Sequence, residues 1–145
     1  MSAIGSNAEQ TPRPVRRCRV LAVDDNVDIL ESLSVVIDLL GHDVRTAVDG
    51  GTALAAGREF APHLVLLDVG LPGMSGYEVA TLIRAEEWGR RAVLVAVTGW
   101  AREEDGVLTQ RSGFDVHVIK PVDLRLLLTL IDRALRGGGV ADAPG

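Results

Sequence analysis

The sequence contains very little cysteine and few aromatic residues. Its 145 residues include a single cysteine, Cys18, so the chain can form neither an internal disulfide nor a cysteine-rich zinc site. We interpret Cys18 as a half-buried residue at the start of a strand, not as a reactive thiol. Aromatic residues make up 3% of the chain and hydrophobic residues 47%, which predicts a core built from aliphatic side chains.

Long apolar runs and excess positive charge are also missing. No apolar run approaches the roughly 20 residues of a membrane span, and residues 1–10 lack the charged start and apolar stretch of a secretory signal. The net charge of −5 and the pI of about 5.1 give no electrostatic footprint for nucleic acid or anionic membrane. We therefore expect a cytoplasmic protein with no direct nucleic-acid contact and no membrane insertion.

The chain length suits one domain with a single core. Residues 1–17 are polar, contain Pro12 and Pro14 and show no periodicity, so we expect a disordered arm or linker there. Residues 137–145 begin with three glycines and predict a flexible tail. The folded domain is expected at 18–136.

Between these ends, five predicted strands alternate with five predicted helices. The strands fall at 19–23, 43–47, 64–68, 92–97 and 115–119; helices follow up to residue 40, at about 52–59, after residue 76, at about 102–112 and after residue 123. Such alternation predicts a parallel sheet with helices on both faces. The predicted fold is an α/β, flavodoxin-like (βα)5 domain with strand order 2-1-3-4-5.

Apolar residues at spacings of three and four predict the buried face of each helix. Two such faces are Val79, Leu82 and Ile83 in the third helix, and Leu124, Leu127, Leu128, Ile131 and Leu135 in the last.

Polar residues stand where four of the strands end. Asp24 and Asp25 follow strand 1, Asp68 ends strand 3, Thr98 follows strand 4, and Lys120 precedes Pro121 after strand 5. The predicted order places strands 1 and 3 side by side where the sheet reverses direction, which is where such sheets hold their ligands. These residues are therefore expected to meet at one edge of the sheet.

Three carboxylates in one cleft repel each other unless a cation neutralises them. Hard oxygen ligands favour Mg²⁺, or Mn²⁺ or Ca²⁺, over zinc. Asp68 can then attack a phosphoryl group and form an aspartyl phosphate, with Thr98 donating a hydrogen bond and Lys120 supplying a second cation. Of the 15 basic residues, Lys120 is the only lysine, which indicates a position that needs a compact charge.

The chain resembles the CheY-like receiver domains of two-component response regulators. The resemblance covers about 18–135 and rests on four motifs: Val23-Asp24-Asp25-Asn26, residues 66–78 around Asp68, Thr98-Gly99, and Val118-Ile119-Lys120-Pro121. The sequence of these motifs is most similar to that of receivers attached to hybrid histidine kinases. A stand-alone regulator is equally compatible with the sequence.

The resemblance implies specific roles. Asp68 would accept a phosphoryl group from a histidine on a kinase or phosphotransfer protein. Asp25 and Asp68 would bind Mg²⁺ directly, Asp24 largely through water, and Gly70 through its backbone carbonyl. Thr98 and Lys120 would bind the phosphoryl oxygens, and the Lys120–Pro121 bond would be cis. Phosphorylation would remodel the face formed by helix 4, strand 5 and helix 5, which would bind a downstream effector and either does or does not also form a homodimer.

At three positions the chain either departs from the family's usual residue or carries a residue that is expected to affect the lifetime of the aspartyl phosphate. His117 stands where the family usually has a tyrosine or phenylalanine that moves with the threonine. It is either an exposed strand residue or a histidine switch, which would make the response pH-dependent. Gly70 has no side chain to guide water. Trp100 either shields the site from water, which predicts a long-lived phosphoaspartate, or is a surface residue.

Three other functions compete with a phosphorylation switch. An aspartate-nucleophile phosphatase of the haloacid dehalogenase type uses similar groups, but it needs a second acid where Gly70 stands and a cap domain. A nucleotide-binding site would need a glycine-rich turn after strand 1, where Asp24 and Asp25 stand instead. A phosphorylation-inert interaction module would not need the complete set of site residues. We therefore favour the interpretation that this chain is a signalling module and not a turnover enzyme.

Overall fold

Five parallel strands form a single sheet in the computed structural model, which describes residues 16–99 and 110–137. The strands are β1 (Arg19–Val23), β2 (Asp43–Ala47), β3 (Leu64–Asp68), β4 (Val93–Thr98) and β5 (Val116–Ile119). Their order is β2-β1-β3-β4-β5, so the predicted topology is confirmed. β4 begins and ends one residue later than predicted and so includes Thr98, and β5 begins one residue later.

Four helices are described, and side chains cap all of their N-termini. They are α1 (Val27–Leu39), α2 (Gly50–Phe60), α3 (Gly76–Ala85) and the C-terminal helix (Leu124–Leu135); their caps are Asn26, Asp49, Ser75 and Asp123. Asp123 accepts a hydrogen bond of 2.8 Å from the backbone N–H of Leu126, which is the bond that an N-cap side chain makes. The helix predicted at 102–112 lies almost wholly outside the described residues. None of the helices in the described ranges is long and apolar enough to cross a membrane.

The hydrophobic core is divided by the sheet into two clusters. One cluster packs β-strand residues against α2 and α3, and Phe114, Tyr77 and Trp88 belong to it or pack on it. The other packs the opposite sheet face against α1 and the C-terminal helix, and all of its described members are aliphatic apart from Cys18. The aromatic residues that the structure describes are therefore unevenly distributed, and among the residues of ranges 16–99 and 110–137 one face of the core contains no aromatic ring.

The apolar stripes of two helices were only partly correct. Leu82 of α3 is 43% exposed, and Leu124 and Leu128 of the C-terminal helix are 53% and 45% exposed. Ala80 of α3, and Leu130 and Ala134 of the C-terminal helix, are buried instead, so the buried faces are turned slightly from the predicted ones. Cys18 is also fully buried, not half-buried as expected.

Candidate functional site

The sheet register brings the predicted site residues to one edge. Asp68 pairs with Val97 and Thr98 pairs with Ile119, so the carboxyl ends of β3, β4 and β5 are level. Asp24 follows directly after β1, and Lys120 directly after β5. The grouping predicted from the topology is therefore present in the structure.

Three carboxylates lie together at this edge. One oxygen from each of Asp24, Asp25 and Asp68 falls within 4.8 Å of the others. Asp24 and Asp68 are 5% and 8% exposed, whereas Asp25 is exposed. Backbone amides orient the two buried groups: Asn26 N–H donates to Asp24 Oδ1 at 2.8 Å, and Gly70 N–H donates to Asp68 Oδ1 at 2.9 Å. Each buried carboxylate keeps its second oxygen for another partner.

That second partner is Lys120. Its Nζ lies 3.0 Å from Asp24 Oδ2 and 3.3 Å from Asp68 Oδ2. Burial lowers the pKa of Lys120, but the hydrogen bonds and charges of Asp24 and Asp68 outweigh it, and the pKa is raised above its usual value. Lys120 is therefore a fixed cation between two carboxylates, as a compact ammonium on a flexible stem allows.

Thr98 and Pro121 complete this part of the edge. Thr98 is 7% exposed at the end of β4, and the Lys120–Pro121 peptide bond is cis, as the resemblance implied.

The donor set fits a hard divalent cation. All three clustered groups offer carboxylate oxygens, the ligands that Mg²⁺, Mn²⁺ and Ca²⁺ prefer. Three carboxylates and one ammonium leave a formal excess of two negative charges, which a divalent ion would balance. The cluster could thus hold a metal ion of this class.

The remaining predicted residues have different surroundings. Gly70 is exposed, and its described contact is the N–H bond to Asp68. His117 is half-buried in β5, and its Nε2 atom is buried without a hydrogen-bond partner among the described residues. Trp100 lies outside the described residues.

Two positioning residues had no role assigned from the sequence. Asn26 caps α1 with its side chain while its backbone N–H holds Asp24. Gly76 lies so close to β3 that a Cβ atom there would be 2.6 Å from the carbonyl oxygen of Asp68 and 2.5 Å from Val69 Cα. The sequence signals were present, in the Asn26 cap position and the Ser75–Gly76 turn, but only the fold shows what they touch.

Comparison with known proteins agrees with this geometry. The family model described as the response regulator receiver domain matches residues 20–132. The chain therefore belongs to the response regulator receiver domain family, and it is a phosphoacceptor receiver domain of two-component signalling. Receiver domains are signalling modules that interact with histidine kinases and effector domains. Membership of this family favours the switch over the phosphatase.

Relatives of different lengths share this domain. The DNA-binding response regulator MtrA of Mycolicibacterium smegmatis is 39% identical over 120 residues, covering 83% of this chain and 51% of MtrA. This chain thus spans about half the length of MtrA. Protein PilH of Pseudomonas aeruginosa is 31% identical over 119 residues, covering 82% of this chain and 98% of PilH.

Solved structures show the same architecture. A CheY-like receiver domain protein from Methanospirillum hungatei is 30% identical, with a TM-score of 0.75 and coverage of 85% of this chain and 100% of that one. The receiver domain of sensor histidine kinase PA1611 from Pseudomonas aeruginosa is 26% identical, with a TM-score of 0.75 and coverage of 83% and 99%. That structure contains a magnesium ion coordinated in its active site cleft.

Proposed function

We propose that Asp68 is the phosphoacceptor and that it receives its phosphoryl group from a phosphohistidine on a histidine kinase or phosphotransfer protein. The observation that carries this proposal is the pairing of Asp68 Oδ2 with Lys120 Nζ at 3.3 Å, at a strand end that is 8% exposed. A nucleophilic carboxylate and a cation are thus held in direct contact.

The transfer is a single displacement at phosphorus. An oxygen of Asp68 forms a bond to phosphorus while the bond between phosphorus and the donor imidazole nitrogen breaks, and the imidazole leaves with the electron pair. Lys120 and the Thr98 hydroxyl stabilise the negative charge on the phosphoryl oxygens. The Gly70 N–H keeps Asp68 oriented through Oδ1.

Mg²⁺, with Mn²⁺ as a substitute, is the proposed metal. Asp24, Asp25 and Asp68 would hold it together with the backbone carbonyl of Gly70. When bound, it supplies charge neutralisation for the phosphoryl group. The support from this chain is the set of carboxylate oxygens within 4.8 Å of one another.

The output is proposed to pass through the β5 side of the domain to an effector protein. The support is that receiver domains of this family interact with effector domains and that Ile119 on the edge strand β5 is 49% exposed. The functional unit is proposed to be residues 18–136, either as a stand-alone regulator or as the receiver of a hybrid histidine kinase.

The test is intact-mass spectrometry after incubation with acetyl phosphate, with and without Mg²⁺. The wild-type protein should gain the mass of one phosphoryl group only when Mg²⁺ is present, and the Asp68→Asn variant should gain none. Asp43→Asn is a matched control, because Asp43 is an acid at the opposite end of the sheet, and it should be labelled like wild type.

Labelling of Asp68→Asn to the wild-type extent would refute Asp68 as the acceptor. If acetyl phosphate labels neither protein, a histidine-phosphorylated donor protein is used in the same assay. Failure with both donors would identify an inert module.

A further inference from the structure

A cavity of about 380 Å³ lies next to the phosphoacceptor site, on the aliphatic side of the sheet. Its floor is formed by Ala22, Leu66 and Val97 of three neighbouring strands, and Leu33 of α1 and Leu124 of the C-terminal helix stand in its walls. The cavity also reaches two residues of the phosphoacceptor edge, Asp24 and Lys120.

The cavity lies on the face of the core whose described members are aliphatic apart from Cys18. The described aromatic side chains of the core pack on the other sheet face, and this face is filled by aliphatic side chains. A buried water needs two to four polar partners, and most of this lining offers none. The volume lies within the range of about 300–1,000 Å³ that is typical of small-molecule sites, so an apolar ligand body is the filling that suits it.

The charges at the mouth select the polar end of such a ligand. Asp24 and Asp28 line the cavity together with a single cation, Lys120, and Asp25 and Asp68 add negative charge beyond it. Asp28 lies in the first turn of α1 and is exposed. An anionic head group would be repelled at this mouth, whereas a cationic one would be attracted.

We propose that this cavity binds a small amphiphilic amine, with its apolar body between α1 and the C-terminal helix and its ammonium group at Asp28. Because Lys120 belongs both to the cavity and to the phosphoacceptor site, occupancy of one changes the other. The coupling rests on the proposed function, but the binding does not, since it requires no phosphoryl transfer.

Binding is tested by amide NMR titration of the unphosphorylated protein with three probes that differ in the head group: hexylamine, hexanol and hexanoate. Hexylamine should bind most tightly and hexanoate most weakly, with shift changes centred on Ala22, Leu66 and Val97. Equal affinities of hexylamine and hexanoate, or shift changes spread over other surfaces, would overturn the proposal.

Matched variants of α1 test the role of the Asp28 charge separately from the role of the cavity volume. Asp28→Asn should weaken hexylamine by about two- to fivefold, the range of an exposed ion pair, and leave hexanol unchanged. Asp38→Asn is the control, because Asp38 is an exposed acid of α1 that does not line the cavity.

Ser32→Phe should block binding of hexylamine, because Ser32 lines the cavity. Ser34→Phe should not block it, because Ser34 lines a different groove of α1. Binding that survives Ser32→Phe would place the amine elsewhere.

The coupling is tested by the rate of phosphorylation with acetyl phosphate in saturating hexylamine. The rate should change by about fivefold or more, at the lower end of allosteric coupling, and Ser32→Phe should abolish the change. An unchanged rate with bound amine would refute the coupling. If the protein is not phosphorylated even without amine, the proposed function fails, and the NMR titration still decides whether the cavity binds amines.

Discussion

The backbone N–H of Lys120 donates a hydrogen bond of 2.7 Å to the carbonyl oxygen of Thr98. This bond continues the pairing of β4 and β5 one step beyond Thr98 and Ile119. It fixes the main chain of Lys120 at the point from which its side chain reaches Asp24 and Asp68. The sheet itself thus holds the main chains of Thr98 and Lys120 at a fixed separation, which is the kind of rigid support that a functional site requires.

Lys120→Met is expected to separate metal binding from phosphorylation. Removal of the ammonium leaves one more net negative charge among the carboxylates, so Mg²⁺ affinity should rise, by roughly tenfold or more. Phosphorylation by acetyl phosphate should slow by about a hundredfold, because a preorganised cation is lost from the phosphoryl site. Isothermal titration calorimetry measures the first effect and an intact-mass time course the second.

The prediction is specific because Mg²⁺ affinity should rise while the rate of phosphorylation falls. Arg133→Met is the control, because Arg133 is an exposed cation of the C-terminal helix, and both measurements should stay at the wild-type values. A parallel fall of Mg²⁺ affinity and phosphorylation in Lys120→Met would contradict the prediction.

Gly76→Ala is expected to destabilise the fold. The new Cβ atom would meet the Asp68 carbonyl oxygen at 2.6 Å and Val69 Cα at 2.5 Å, and both are backbone atoms that cannot turn aside. Overpacking of this kind costs about 1–3 kcal/mol, measured as the free energy of unfolding in urea. Gly51→Ala is the matched control, because a Cβ there would meet only Asp49 Oδ1, at 3.8 Å, and its stability should be unchanged or slightly higher. Equal stabilities of the two variants would show that the approach of α3 to β3 is not tight.

Much of this site was predictable because its residues occupy strand ends. Buried strands appear in the sequence as short aliphatic runs, and the polar residue that ends each run lies at a known edge of a parallel sheet. The positions of Asp68 and Thr98 at this edge follow from the sequence in this way. The order of the strands then brought Asp24 and Lys120 to them.

Contacts set by tertiary packing could not be predicted. Arg84 of α3 donates to Asp115 Oδ2 at 2.7 Å and to the carbonyl oxygens of Gly89, Ala92 and Gly113. The Asp115 side chain is 4% exposed, so the pair is buried where α3 meets the starts of β4 and β5. The hydrogen-bond partners of Arg84 lie between five and 31 residues from it in the sequence. No local sequence pattern distinguishes Arg84 from the other arginines.

Two histidines at the opposite end of the sheet hold the start of β1. His42 Nδ1 accepts the backbone N–H of Cys18 at 3.0 Å, and His63 Nδ1 accepts that of Arg19 at 2.9 Å. An imidazole accepts at Nδ1 only when that nitrogen carries no proton. Burial lowers the pKa of both histidines, with a further contribution from Arg17 at His42 and from Arg19 and Arg16 at His63; Asp43 opposes the shift at His42.

These bonds predict a loss of stability in weak acid. A depressed pKa in the folded state means that the stabilisation is complete above the unfolded pKa of about 6.5 and is lost as the pH falls through the lower folded value. Each hydrogen bond contributes about 1 kcal/mol, so the melting temperature should fall by a few °C between about pH 7 and pH 5. Replacing both histidines by asparagine, whose amide oxygen accepts without titrating, should flatten this part of the profile. An unaltered acid profile in the double variant would assign the loss to other groups.

His117→Phe is expected to change the output of the domain and not its phosphorylation. His117 pairs with Ala96 inside the sheet, and its buried Nε2 atom has no hydrogen-bond partner in the described part of the chain. Phenylalanine supplies the ring that the family usually has here without a polar nitrogen, so the labelling rate with acetyl phosphate should stay within about twofold of wild type, since none of the groups that hold the phosphoryl charge is changed. The response of β5 and the C-terminal helix should differ, measured as the change in amide hydrogen exchange on phosphorylation. A variant that is no longer phosphorylated would contradict the prediction, and an identical exchange response would make His117 an ordinary strand residue.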